Sequence, residues 1–228
     1  MDLDFDVKDE MSNMRKKVKT SDEINLCSTN EEYSLVQKAI HIMKKGYEVQ
    51  KKSVVSHLAF YLADPKANDE LLPLILHSID AWDTQFQCLL ADSLYEASDE
   101  CLLNPSNLHQ AMKLCIEFVD NLNNDDVYYS WRKTFPKLAY QLNTIPDTTP
   151  DKFSQTTILE TIVYSRIAEM VDRKQEKRRR LRGCELMKDL VQTQGGHILC
   201  SQIHIKYFLA LSQDPNFIYR ADMAAALG

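Results

Sequence analysis

Glycine is scarce in this chain, with five among 228 residues. Enzymes that cradle phosphate in glycine-rich turns need more of it, and placed in motifs. The chain has no phosphate loop, no Gly-x-Ser-x-Gly nucleophile elbow and no His-Glu-x-x-His zinc helix. No uninterrupted apolar run approaches the ~18 residues that a membrane span requires. Positions 1–20 have neither the apolar core of a signal peptide nor the acid-poor character of a transit peptide. The six cysteines are scattered, without a Cys-x-x-Cys pair, and several fall inside apolar helical patterns. That usage fits reduced, buried thiols. The expectation is a soluble protein of the cytoplasm or nucleus with no cofactor, no membrane partner and no catalytic residues of its own.

Charge is plentiful but does not favour nucleic acid. Lys and Arg number 27 against 33 Asp and Glu, a formal net charge of −6, so the whole chain offers no field that gathers a polyanion. Hydrophobic residues make up 44% and charged residues 26%, as in an ordinary globular protein.

Apolar residues recur at helical spacing along nearly the whole chain, and no β-alternation stands out. Positions 1–28 read as a charged, disordered tail: an acidic block is followed by Arg15, Lys16, Lys17 and Lys19. From residue 29 to 228 the pattern divides into pairs of helices. Thr29 and Glu32 form a candidate capping box, with a stop at Gly46 and a return helix ending at Asp64-Pro65. Asn68 is a candidate cap for the next pair, with Pro73 one turn in. Asn104-Pro105 gives a cap-plus-proline start, Pro136 predicts a kink, and Thr149-Pro150 opens a fourth pair. Gly195-Gly196 opens a fifth, whose second helix follows Asp214-Pro215, with Arg220 six residues after the aspartate. An apolar helix, an Asp-bearing turn and an early Arg resemble a HEAT repeat unit. First helices start at intervals of about 37 to 47 residues, near the ~40–47 of HEAT or armadillo arrays. The predicted fold is an all-α, HEAT-like α-α solenoid of about five antiparallel helical hairpins.

Two local features invite a chemical reading. His197, Cys200 and His204, with Cys184, have spacings that zinc could use, but Cys200 fits the apolar pattern and the histidines fit its edges, so no metal is expected. The densest charge run comprises Arg173, Lys174, Lys177, Arg178, Arg179, Arg180 and Arg182. Seven cations in ten residues wrap beyond one helix face, which predicts a basic surface patch. That patch either faces a phosphate, peptide or nucleic acid, or is a solvated helix side.

The residues Lys19-Thr20-Ser21-Asp22-Glu23-Ile24, Glu31-Glu32, Ala39, Gly46-Tyr47-Glu48-Val49-Gln50, Ser53-Val54, Leu58 and Phe60 resemble the amino-terminal region of the HEAT-repeat regulatory subunits of serine/threonine-protein phosphatase 4. Arg166, Leu181, Cys184 and Gln213-Asp214 with Arg220 fall in the same register. The metal-holding Gly-Asp and Gly-Asn motifs of phosphatase catalytic chains are missing. The resemblance implies a non-catalytic cytoplasmic scaffold that binds a phosphatase catalytic subunit, of the phosphatase 4 or 2A type. It also implies an array that continues past residue 228. The alternative is a HEAT adaptor for transport or assembly, reading peptide or nucleic acid with the basic run. For either partner the physical candidates are the inter-helix turns at 80–84, 121–126, 143–147 and 214–216, which a solenoid aligns along one ridge. They offer Asp80, Trp82, Asp83, Asp125, Asp126 and Asp214. Trp82 is either an anchor for the partner or a staple between its own two helices.

Overall fold

Ser34 starts the first helix among the described residues. Its hydroxyl accepts the Gln37 amide at 3.2 Å, and the Gln37 side chain accepts the Ser34 amide at 2.9 Å, which completes a capping box. Glu32 lies in the turn before it. The computed structural model describes residues 32–100, 102–142, 158–192 and 209–227. Thr29, the 1–28 tail, Thr149-Pro150 and Gly195-Gly196 lie outside them.

Helix α1, Leu35–Lys45, stops at Gly46, where a side chain is sterically barred: a Cβ would sit 2.6 Å from the Ile42 carbonyl oxygen. The return helix is in two pieces, α2 (Glu48–Ser56) and α3 (Leu58–Leu62), parted at His57. A π-turn over Ala67–Leu71 leads into α4 (Leu72–Ser78) and a 3₁₀ turn over Ile79–Ala81. Then follow α5 (Thr84–Asp99), α6 (Pro105–Asp120) and α7 (Asp125–Leu142), which runs on through Pro136 as one helix. A π-segment over Leu159–Tyr164 enters α8 (Ser165–Val171), and α9 (Lys177–Gln192) and α10 (Phe217–Leu227) follow. Among the described residues every regular element is helical, as the periodicity predicts.

The helices pack in two rows. The first contains α1, the π-turn with α4, then α6, then the π-segment with α8. The second contains α2 and α3, then α5, α7, α9 and α10, each against the next. The core lies between the rows. Trp131 is fully buried at its centre, stacked on Phe118 with centroids 4.9 Å apart. The Cys115 thiol, pushed well up by burial, donates to the Trp131 carbonyl at 3.3 Å, as expected of an unreactive core cysteine.

Asn68 is not a helix cap. It sits inside the π-turn, buried, and joins the second helix pair to the third. In the π-turn the Leu72 amide bonds to the Ala67 carbonyl, and Pro73 has no amide to donate, so the Asn68 carbonyl loses its helical partner. The Asn107 side-chain amide replaces that partner at 2.7 Å. The Asn68 side chain in turn donates to the Leu102 carbonyl at 2.9 Å and accepts from the Asn104 amide at 3.2 Å. Asn104 then caps α6 by accepting the Asn107 amide at 2.8 Å, with Pro105 in the first helical position, as the sequence predicts.

Two variants test this packing by urea unfolding. Asn68→Ala strands the part-buried Leu102 carbonyl and Asn104 amide, keeps the Asn107 bond to the main chain, and lowers stability by about 2 kcal/mol. At Gly183 a Cβ would meet Val171 Cγ1 at 2.8 Å and Met170 Cβ at 2.9 Å, so α8 and α9 must separate to admit a methyl group. Gly183→Ala therefore costs about 1–3 kcal/mol from overpacking, despite alanine's better helix propensity. An unchanged midpoint for either variant contradicts the account.

Candidate partner-binding surface

A helix whose first turn reads Lys177-Arg178-Arg179-Arg180 sets four cations against its own positive end, with no acidic residue in that turn. The counter-charges come from other elements. Asp120 at the end of α6 receives Arg179 through two parallel bonds of 2.6 and 2.7 Å, and also holds Arg166 at 2.9 Å. Asp125, in the first turn of α7, pairs with Arg178 and with Arg182 at 2.8 Å. Arg182 is buried. It donates to the Val119 and Asn121 carbonyls at 3.0 and 2.6 Å, closing the carboxyl end of α6, and its guanidinium lies 3.9 Å from the Tyr128 ring centre. Arg180 does the same for α8, donating to the Val171 carbonyl at 3.2 Å, and pairs with Asp214 at 2.7 Å.

Farther along α9 the seam continues through Arg132. Its guanidinium reaches Asp189 at 2.7 Å and Glu185 at 2.8 Å, and Tyr128 donates to Glu185. Burial raises the Tyr128 hydroxyl's pKa, and the Glu185 carboxylate adds to the shift.

The basic run is therefore divided between an internal fastener and the surface. Arg180 and Arg182 are buried and Arg179 is half-buried, against the expected surface patch of seven. Arg173, Lys174, Lys177 and Arg178 remain exposed, and Arg178 is paired.

The acidic turns change role in the same way. Asp214, expected on an open ridge and as a helix cap, is 3% exposed and spent on Arg180. Asn216 caps α10 instead, accepting the Ile218 amide at 3.1 Å, while Arg220 donates to the Asp214 and Pro215 carbonyls at 2.6 and 2.9 Å. Asp83 caps α5 by accepting the Phe86 amide at 2.8 Å. Trp82 is half-buried against the core, its ring 4.0 Å from that of Phe86, which is the geometry of a staple. Asp80 belongs to the 3₁₀ turn before it. Asp126 is exposed beside Asp125. Neighbouring turns do touch: the Asn124 side-chain amide donates to the Thr84 hydroxyl at 2.8 Å. Residues 143–147 lie outside the described residues, as do His197, Cys200 and His204, while Cys184 is buried in α9. Among the described residues no His, Cys, Asp and Glu cluster is placed to hold a metal, and no helix is long and apolar enough to cross a membrane.

Surface apolar residues were missed by the sequence reading: Val49 falls in the helical apolar pattern, and Tyr47 and Phe60 enter only through the family resemblance. Val49 is 79% and Phe60 64% exposed on α2 and α3, and Tyr47 is exposed between them and α1. The available signal was that all three lie in the segment carrying the family resemblance. Leu35, also read as core, is exposed in the first turn of α1.

Asp214→Ala leaves a buried guanidinium without its counter-ion and should lower stability by about 3–5 kcal/mol, whereas Arg180→Met with Asp214→Leu recovers much of the loss. Burial alone pushes the Asp214 carboxyl up, but the Asn216 amide and Arg180 outweigh it and hold the group below its usual range. A lowered folded pKa adds stability that is complete above about pH 4 and lost as pH falls through the folded value. The gap between native protein and Asp214→Ala should thus narrow in acid; a gap that widens refutes the pairing. Comparison of the chain with protein-family models, curated proteins and solved structures gives no match.

Proposed function

We propose that this chain is a HEAT-like solenoid acting as a non-catalytic scaffold that binds a serine/threonine phosphatase catalytic subunit, of the phosphatase 4 or 2A type, in the cytoplasm. The repeat reading is supported by two rows of helices and by the bonds that join the second pair to the third. Asn107 with Asn68, Asn124 with Thr84, and Thr134 with the Ala91 carbonyl all link residues 39 to 43 positions apart.

The partner reading rests on one observation. The segment from Gly46 to Phe60, which most resembles the phosphatase regulatory family, keeps Tyr47, Val49 and Phe60 at the surface. Core packing alone does not demand those side chains, and large exposed apolar residues are the usual anchors of an interface. Trp82 and Asp83 serve this role less well, since each already holds its own hairpin together. Use of the basic run for nucleic acid is disfavoured, because Arg178, Arg179, Arg180 and Arg182 are paired with carboxylates, which leaves three of the seven cations to meet phosphates.

Capture of purified phosphatase 4 and 2A catalytic subunits on the immobilised chain tests the proposal. Val49→Asp and Phe60→Asp should each weaken capture by roughly thirtyfold, the ~2 kcal/mol of an interface anchor, with the melting temperature unchanged. Trp82→Ala should instead lower the melting temperature while folded molecules bind as before. Failure to capture either subunit overturns the proposal, and capture indifferent to Val49 and Phe60 moves the interface elsewhere.

A further inference from the structure

The turn between α1 and α2 collects positive charge that the fold does not neutralise. Lys44 and Lys45 end α1, and Lys51 and Lys52 follow in α2. The one carboxylate within this stretch, Glu48, pairs with Lys52 at 2.7 Å, and Asp83 faces the same lysine at 3.6 Å. Lys44, Lys45 and Lys51 meet no carboxylate among the described residues. Lys44 and Lys45 suit the negative end of α1, but Lys51 stands near the positive end of α2, where the helix dipole opposes it. The same turn exposes Tyr47 and Val49, so apolar side chains in water lie between unpaired cations.

The sequence holds the complement. Asp2-Leu3-Asp4-Phe5-Asp6-Val7 alternates carboxylates with apolar side chains, and Asp9 and Glu10 follow. Residues 11–31 tether this stretch to the described part of the chain, and roughly 20 residues span at most about 70 Å. Helix α1 is only about 16 Å long, so residues 2–10 can reach the turn at its far end. Such a tether holds them at an effective concentration on the order of 1 mM, which fills a site of ~100 μM affinity about nine-tenths of the time.

We propose that residues 2–10 dock on the turn at 44–51, carboxylates on the lysines and apolar side chains against Tyr47 and Val49, so that the chain covers part of its own partner-binding surface. The docking does not depend on who the partner is. That it restrains phosphatase capture rests on the reading proposed above.

Carbodiimide cross-linking of the full chain, mapped by mass spectrometry, tests the docking, because it joins a carboxylate to a lysine only where the two touch. Residues 2–10 should couple to Lys44, Lys45 or Lys51 within one molecule, well above their coupling to the exposed Lys113 and Lys174. The Glu48–Lys52 pair serves as internal standard. Phe5→Ser and Val49→Ser keep every carboxylate and lysine, and each should cut that coupling roughly threefold or more, about the worth of one lost apolar contact, with the standard unchanged. Coupling mainly to Lys16, Lys17 and Lys19, coupling spread evenly over Lys113 and Lys174, coupling between two chains, or indifference to both substitutions overturns the docking. Capture of the phosphatase catalytic subunits reads the consequence. Asp2→Asn, Asp4→Asn, Asp6→Asn and Asp9→Asn together should tighten it roughly tenfold, as freeing a site that is about nine-tenths covered requires. Equal capture with and without these changes overturns the covering of the partner surface. Capture by neither form defeats the phosphatase reading instead, and the cross-links alone then decide the docking.

Discussion

Of the four cations at the positive end of α9, Lys177 stays in water and the other three are met by carboxylates from α7, α6 and the turn before α10. That constraint organises the second half of the molecule. Each unfavourable charge–dipole contact costs about 0.3–1 kcal/mol, and cations left buried without partners cost several more. The helix can therefore keep its place only while Asp120, Asp125 and Asp214 stay in theirs. Arg180 and Arg182 also close the carboxyl ends of α8 and α6, so the same side chains fix helix ends and neutralise charge.

The joint between the second and third helix pairs solves the matching problem with neutral groups. A proline and a π-turn free one carbonyl, and a carboxamide two helices away takes it. Such a bond is insensitive to salt and pH, whereas the partly exposed ion pairs of the later joint are weakened by both. The two joints thus respond differently to solution conditions although the helices stack in the same way.

What remains for partners is what internal packing does not use. The apolar residues of α2 and α3 fit this description. The acidic turns do not, because helix capping and ion pairing occupy Asp83, Asp125 and Asp214. A surface inferred from charge alone would have chosen the opposite set.

The all-α class and most helix limits were legible in the sequence, because period, caps and stops are local. Gly46 closes α1, and Asn104-Pro105 opens α6, through contacts within four residues. Asn68 and Asp214 were misread because each has the chemistry of a cap, and a distant partner claims that chemistry first. Asn68 meets a residue 39 positions away and Asp214 one 34 positions away, and no local pattern records such pairings. The basic run divides for the same reason: composition counts charges, but only the tertiary structure decides that Arg179, Arg180 and Arg182 find carboxylates inside while Arg173, Lys174, Lys177 and Arg178 stay at the surface. Val49 shows the converse, an apolar residue that periodicity places in the core and that the packing of the neighbouring helices leaves in water.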